Sequence, residues 1–131
     1  KLIERLGLSD RIVLRKAEKN MLPIYQSASI FAMSSYYEGL PMVLLEAQAI
    51  GLPIVSFACK CGPKDIISDG VDGFLVPEGN VDLLAQKLLL LMNNESLREC
   101  MGREAFKNSE KFAESAVMSK WMALFNELIK E

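Results

Sequence analysis

Histidine is absent from all 131 residues, and that absence removes more chemistry than any other feature of the chain. Neither a Ser-His nor a Cys-His nucleophile pair can be assembled, so hydrolases of that type are excluded for this chain by itself. Cysteine is scarce. Cys59, Cys61 and Cys100 are an odd number without the spacing of a disulfide scaffold, and with no histidine a zinc site would lack ligands. They read as reduced thiols, which suits a cytoplasmic setting, and no metal is expected. There the acceptor triplet Asn94-Glu95-Ser96 is idle. Long hydrophobic runs are lacking too: none, Leu88 to Met92 included, exceeds 5 residues against the ~20 that cross a bilayer. No charged-then-apolar leader opens the chain. Nor is one charge in excess, since 15 basic and 17 acidic residues are interspersed for a net charge of −2, leaving no basic face for nucleic acid.

What is present suits one globular domain. Half the residues are hydrophobic, and a chain of this length buries roughly two thirds of its unfolded surface without disulfides or metal. Leu2, Ile3 and Leu6 before Gly7 predict the last turns of an amphipathic helix closed by glycine, as though the chain began in mid-fold. Strands are then expected at 12–15, 29–33, 53–57 and 74–76, with helices at 21–27 and 41–50 and a short one near 64–67. Strands alternating with helices imply a parallel α/β sheet. The last third predicts helices at 82–92, 96–109 and 114–130. In the final one Val117, Trp121, Leu124, Phe125 and Leu128 form an apolar stripe expected to be buried, with Trp121 as a packing anchor. Asp69-Gly70 and Asp72-Gly73 read as turn dipeptides. No repeat, linker or low-complexity segment appears.

The stretch Ser34-Ser35-Tyr36-Tyr37-Glu38-Gly39-Leu40-Pro41-Met42-Val43-Leu44-Leu45-Glu46-Ala47, followed by Gly51-Leu52-Pro53, carries the chemistry. Glu38 falls in a loop at the carboxyl end of a strand, where parallel α/β sheets bind ligands. Pro41 suits the first helical position and Gly51 the stop. The N–H groups of Gly39, Leu40, Met42 and Val43 then face out at the positive helix end and suit a phosphate, while Pro41 can donate nothing. Val43, Leu44, Ala47 and Ile50 are expected to face the core, with Glu46 off that side. Spacing proves nothing alone: with 12 glutamates in 131 residues, one pair eight apart arises about once by chance. Its context is the argument, a Gly-x-Pro loop after one strand and a second Gly-x-Pro before the next.

On these residues the chain resembles the retaining GT-B glycosyltransferases of the family-4 group, whose C-terminal domain carries a Glu-x7-Glu motif. Leu8 to Leu14, Leu22 to Phe31, Gly62-Pro63-Lys64-Asp65-Ile66-Ile67 and Asp69 to Pro77 extend the likeness over essentially the whole chain. The resemblance implies a Rossmann-like parallel sheet with flanking helices, the C-terminal half of a GT-B fold lacking its first strands, with residues 1–131 a partial nucleotide-sugar-binding domain. It implies that Glu46 holds the ribose hydroxyls and that Glu38, the catalytic candidate, contacts the transferred sugar. The donor would be a nucleoside diphosphate sugar, UDP-linked by the prevalence of such donors, with no further cofactor. The acceptor, a glycan or a lipid-linked sugar, would be held by an N-terminal domain that also makes any peripheral membrane contact. Front-face attack would give retention without a protein nucleophile, and this piece alone would not transfer sugar, since part of the positive charge on the diphosphate comes from a preceding segment.

Several residues keep two readings. Gly62 could admit backbone close to the donor and Lys64 could add charge, or both could serve a turn and helix start. Asp65 departs from the glutamate of some members. Lys16, with Ala17, would lie near the nucleobase by analogy, and Tyr36 and Tyr37 either flank the site or pack the loop. A non-catalytic nucleotide-binding module or a nucleotide-sugar epimerase of the same fold is the alternative function.

Overall fold

The computed structural model describes residues 2–129. A three-stranded parallel sheet in the order β1 (Phe31–Met33), β2 (Ile54–Phe57), β3 (Gly73–Val76) forms its centre, with Phe31 beside Ile54 and Ile54 beside Gly73. Around it lie α1 (Leu2–Arg5), α2 (Leu22–Ser27), α3 (Met42–Ala49), α4 (Pro63–Ile66), α5 (Val81–Met92), α6 (Glu95–Ser109), a 3₁₀ turn at Glu110–Phe112, and α7 (Glu114–Leu128). This is the expected α/β architecture of parallel strands with flanking helices.

Alternation along β2 builds two cores. All four of its residues are buried, and successive side chains leave opposite faces of a strand. Ile54 therefore joins Tyr25, Met33, Leu44, Ala47 and Ile66 under α2, α3 and α4, while Val55 and Phe57 join Phe74, Val76, Leu91 and Met101 under α5 and α6. The two helix layers meet where α3 ends. Gly51, at φ +77°, lets the chain reverse there, and a Cβ on Gly102 of α6 would strike the Gly51 carbonyl, so only glycine permits this crossing. The side chains of Asn80 and Asn94 cap α5 and α6 by accepting from Leu83 N and Leu97 N at 3.0 Å each.

Four expectations are corrected. Residues 12–15 form no strand: Ile12, Val13 and Leu14 are 42%, 75% and 83% exposed, and no described strand lies beside them to supply the ladder that makes apolar residues a strand. Pro41 is the N-cap, not the first helical residue, because its ψ of 96° is extended where the loop swings into α3. The buried side of α3 is Leu44, Ala47 and Gln48, whereas Val43 is exposed and Ile50 half-buried. Gln48 is drawn in by hydrogen bonds, as described below. No residue of the α7 stripe is fully buried: Val117 is half-buried, and Trp121, Leu124, Phe125 and Leu128 are 44–58% exposed. Trp121 stacks on Phe125 at 5.7 Å instead of anchoring a core. Lys130, the expected end of that helix, lies outside the described residues. The remaining elements fall within about two residues of expectation.

Candidate functional site

The loop 34–41 leaves the carboxyl end of β1 and delivers the chain to α3. A proline at the N-cap has no side-chain acceptor to turn back on the first turn, and α3 has no side-chain cap. Pro41 O accepts from Leu44 N at 3.0 Å, but the N–H groups of Gly39, Leu40, Met42 and Val43 find no acceptor among the described residues. Unpaired donors at the positive end of a helix form an anion-binding surface. Glu38 is half-buried in this loop, and Glu46, four residues into the helix and thus ~6 Å along its axis, is on its exposed side.

A second loop braces the first. Gly62, at φ +84°, follows β2, and a Cβ there would overlap Pro41 Cδ and the Gly39 carbonyl oxygen. The glycine thus serves close approach, to the other loop. Asp65 Oδ2 accepts from Gly62 N at 3.3 Å, so the aspartate that departs from some members holds the start of α4. Lys64 is exposed on that helix. Tyr36 packs edge-on against Phe57 at 5.7 Å, while Tyr37 is 78% exposed. Lys16 lies in the exposed irregular segment and lines none of the described clefts. Lys19 instead lines a groove of about 360 Å³ with Met21, Leu22, Tyr25 and Glu46.

Two groups escape the sequence. Tyr25, 4% exposed, donates from its Oη to Glu46 Oε2 at 2.8 Å. Burial, then the Glu46 hydrogen bond and charge, push its phenol up to about 12. A tyrosine in an apolar helix signals a buried ring whose hydroxyl seeks a partner, but nothing local says that the partner lies 21 residues away. The second group is Asp72, wholly buried rather than a mere turn residue. Its Oδ1 accepts from Ser68 N at 2.8 Å, and its Oδ2 from Gln48 Nε2 at 3.2 Å and from Asn108 Nδ2. Gln48 Nε2 also reaches Ile66 O at 3.1 Å, leaving Gln48 Oε1 buried without a partner among the described residues. This cluster ties α3, α4, the 68–72 turn and α6 together.

Residues 1–108 match the family model of glycosyl transferases group 1. The chain belongs to that family. Group 1 relatives include the amylovoran biosynthesis glycosyltransferase AmsD of Erwinia amylovora, 35% identical over 124 residues, which are 95% of this chain and 35% of that protein. The poly(ribitol-phosphate) α-N-acetylglucosaminyltransferase of Staphylococcus aureus is 32% identical over 127 residues, 96% of this chain and 26% of that one. An exopolysaccharide phosphotransferase of Streptomyces coelicolor is 38% identical over 129 residues, 98% of this chain but 14% of its own length. The chain thus spans about a third or less of these relatives. Among solved structures, a point mutant of S. aureus TarM in complex with Fondaparinux, α-GlcNAc-glycerol and UDP superposes with a TM-score of 0.87 at 31% identity, covering 95% of this chain and 26% of that one. The fold is the Rossmann-like C-terminal half of the GT-B architecture. Among the described residues no helix is long and apolar enough to cross a membrane.

Proposed function

We propose that residues 1–131 are part of the C-terminal, donor-binding domain of a retaining, family-4-like glycosyltransferase, which moves a hexosyl group from a UDP-sugar to a glycan or lipid-linked acceptor held by its other domain. The observation that carries this reading is the open first turn of α3 at the carboxyl end of the sheet, with Glu46 one turn further along the same helix. The diphosphate takes the N–H groups of Gly39, Leu40, Met42 and Val43, and Glu46 accepts hydroxyls of the ribose, a pairing that suits a carboxylate and a vicinal diol. Glu38 faces the transferred sugar, where a hydroxyl contact strengthens as positive charge develops at the anomeric carbon. Gly62 keeps the loops in contact, Lys64 adds a cation nearby, and Lys19, sharing the groove of Glu46, takes the part expected of Lys16. The UDP complex of TarM supports uridine as the base. Without the acceptor side this chain transfers no sugar by itself.

A ¹⁵N NMR titration of the chain with UDP, GDP and ADP tests the reading. UDP is expected to shift the amides of Gly39, Leu40, Met42 and Val43, and Glu46→Ala to abolish those shifts. Absence of any shift in the α3 region with all three nucleotides would overturn it.

A further inference from the structure

Glu46 is the only carboxylate on α3, on the exposed side of the helix. A free glutamate there would sample many rotamers and lose them on binding a ligand. Tyr25 removes that freedom beforehand. Tyr25 is 4% exposed and its ring is tilted against Phe31 at 5.9 Å, so packing settles both of its side-chain torsions and the hydroxyl stands as a rigid post from α2. That hydroxyl donates to Oε2 of Glu46 at 2.8 Å. The phenol keeps its proton far above neutral pH, so Tyr25 acts toward the carboxylate as a hydrogen-bond donor at every pH where a ligand would bind. Among the described residues Glu46 has no other hydrogen bond or ion pair, which leaves Oε1 as an open acceptor. Both residues line the groove that Lys19 flanks.

We infer that Tyr25 is a positioning residue: by engaging Oε2 of Glu46 it fixes the carboxylate so that Oε1 is offered to a vicinal diol, making the site selective for ribonucleotides. The inference rests on the assignment of Glu46 to the ribose. Its mark is selective, because a phenol that acts only through Glu46 affects ligands with the diol and ignores those without it. A ring that merely packs affects both alike.

Calorimetric titration of the full chain with UDP and with 2′,3′-dideoxyuridine diphosphate separates these cases in wild type, Tyr25→Phe and Glu46→Gln. Tyr25→Phe keeps the ring against Phe31, and far-UV circular dichroism checks the fold. UDP affinity is expected to fall about tenfold in Tyr25→Phe, the equivalent of about 1.4 kcal/mol, with the dideoxy ligand changed by less than about twofold. An equal loss for both ligands, or no loss for either, would overturn the inference. If Glu46→Gln removes the preference for UDP while Tyr25→Phe keeps it, the donor-site reading stands and Tyr25 does not position. If wild type prefers neither ligand, or Glu46→Gln leaves the preference intact, the assignment of Glu46 itself fails and the inference with it.

Discussion

Strand β2 and helix α7 are both apolar, yet they end in opposite environments. The four residues of β2 are all buried, whereas α7, with 15 residues and a regular stripe of Trp121, Leu124, Phe125 and Leu128, has none buried. The difference is one of neighbours. β2 has a strand on each side and helices on both faces, while α7 touches little beyond the 3₁₀ turn before it. Periodicity tells which face of an element seeks cover, but only surrounding elements supply the cover. The sharpest way to break this contrast is Phe57→Ala. Phe57 is 1% exposed among Val55, Phe74, Leu91 and Met101, and emptying such a site costs about 3–5 kcal/mol. Urea unfolding followed by circular dichroism should show a loss of that size, and a loss below about 1 kcal/mol would contradict the close packing around β2.

A smaller effect belongs to the junction between the core and the site. The Tyr25 phenol has an ordinary value of 10.0 and is pushed up to about 12 in the fold, by burial first and then by Glu46. The native state thus holds this proton more tightly than the unfolded chain does, so its contribution is complete below pH 10 and is lost as the pH climbs from 10 to 12. The stability advantage of wild type over Tyr25→Phe is expected to shrink by roughly 1–2 kcal/mol between pH 9 and pH 11.5, at about 1.4 kcal/mol per unit. Every other titration is common to both proteins and cancels. A constant difference across that range would mean that the phenol is neither buried nor held by Glu46 as described.

What the residues disclose beforehand follows the same division. The strand-loop-helix-strand course from Phe31 to Phe57 is legible because Gly51, Pro53 and the apolar runs act locally, and the Glu38/Glu46 motif lies within that course. Tyr25 with Glu46, and Asp72 with Gln48 and Asn108, are not legible, because those pairs are 21, 24 and 36 residues apart and are made by packing α2, α3 and α6 together. Apolar counting also misjudges α3: it favours Val43 over Gln48, although a buried amide is sustained where Asp72 and the Ile66 carbonyl accept from it. Residues 12–15 fail from the other direction, with strand-forming side chains and no described strand beside them.

The smallest change is expected where the sequence pattern looks strongest. Trp121 is 50% exposed and its described ring contact is with Phe125, four residues along the same helix. Trp121→Ala therefore removes one helical pair and little buried area, and an aromatic pair of this kind is worth about 0.5–1.5 kcal/mol. A loss of no more than about 1 kcal/mol is expected in the same urea experiment, several times less than for Phe57→Ala, although tryptophan is the larger side chain. The ratio of the two losses measures the contrast directly, since both variants truncate an aromatic ring to a methyl group and differ in what surrounds it. A loss above about 3 kcal/mol from Trp121→Ala would mean that α7 in solution is folded against another surface. Its apolar stripe would then belong to a core, and the difference between β2 and α7 would disappear.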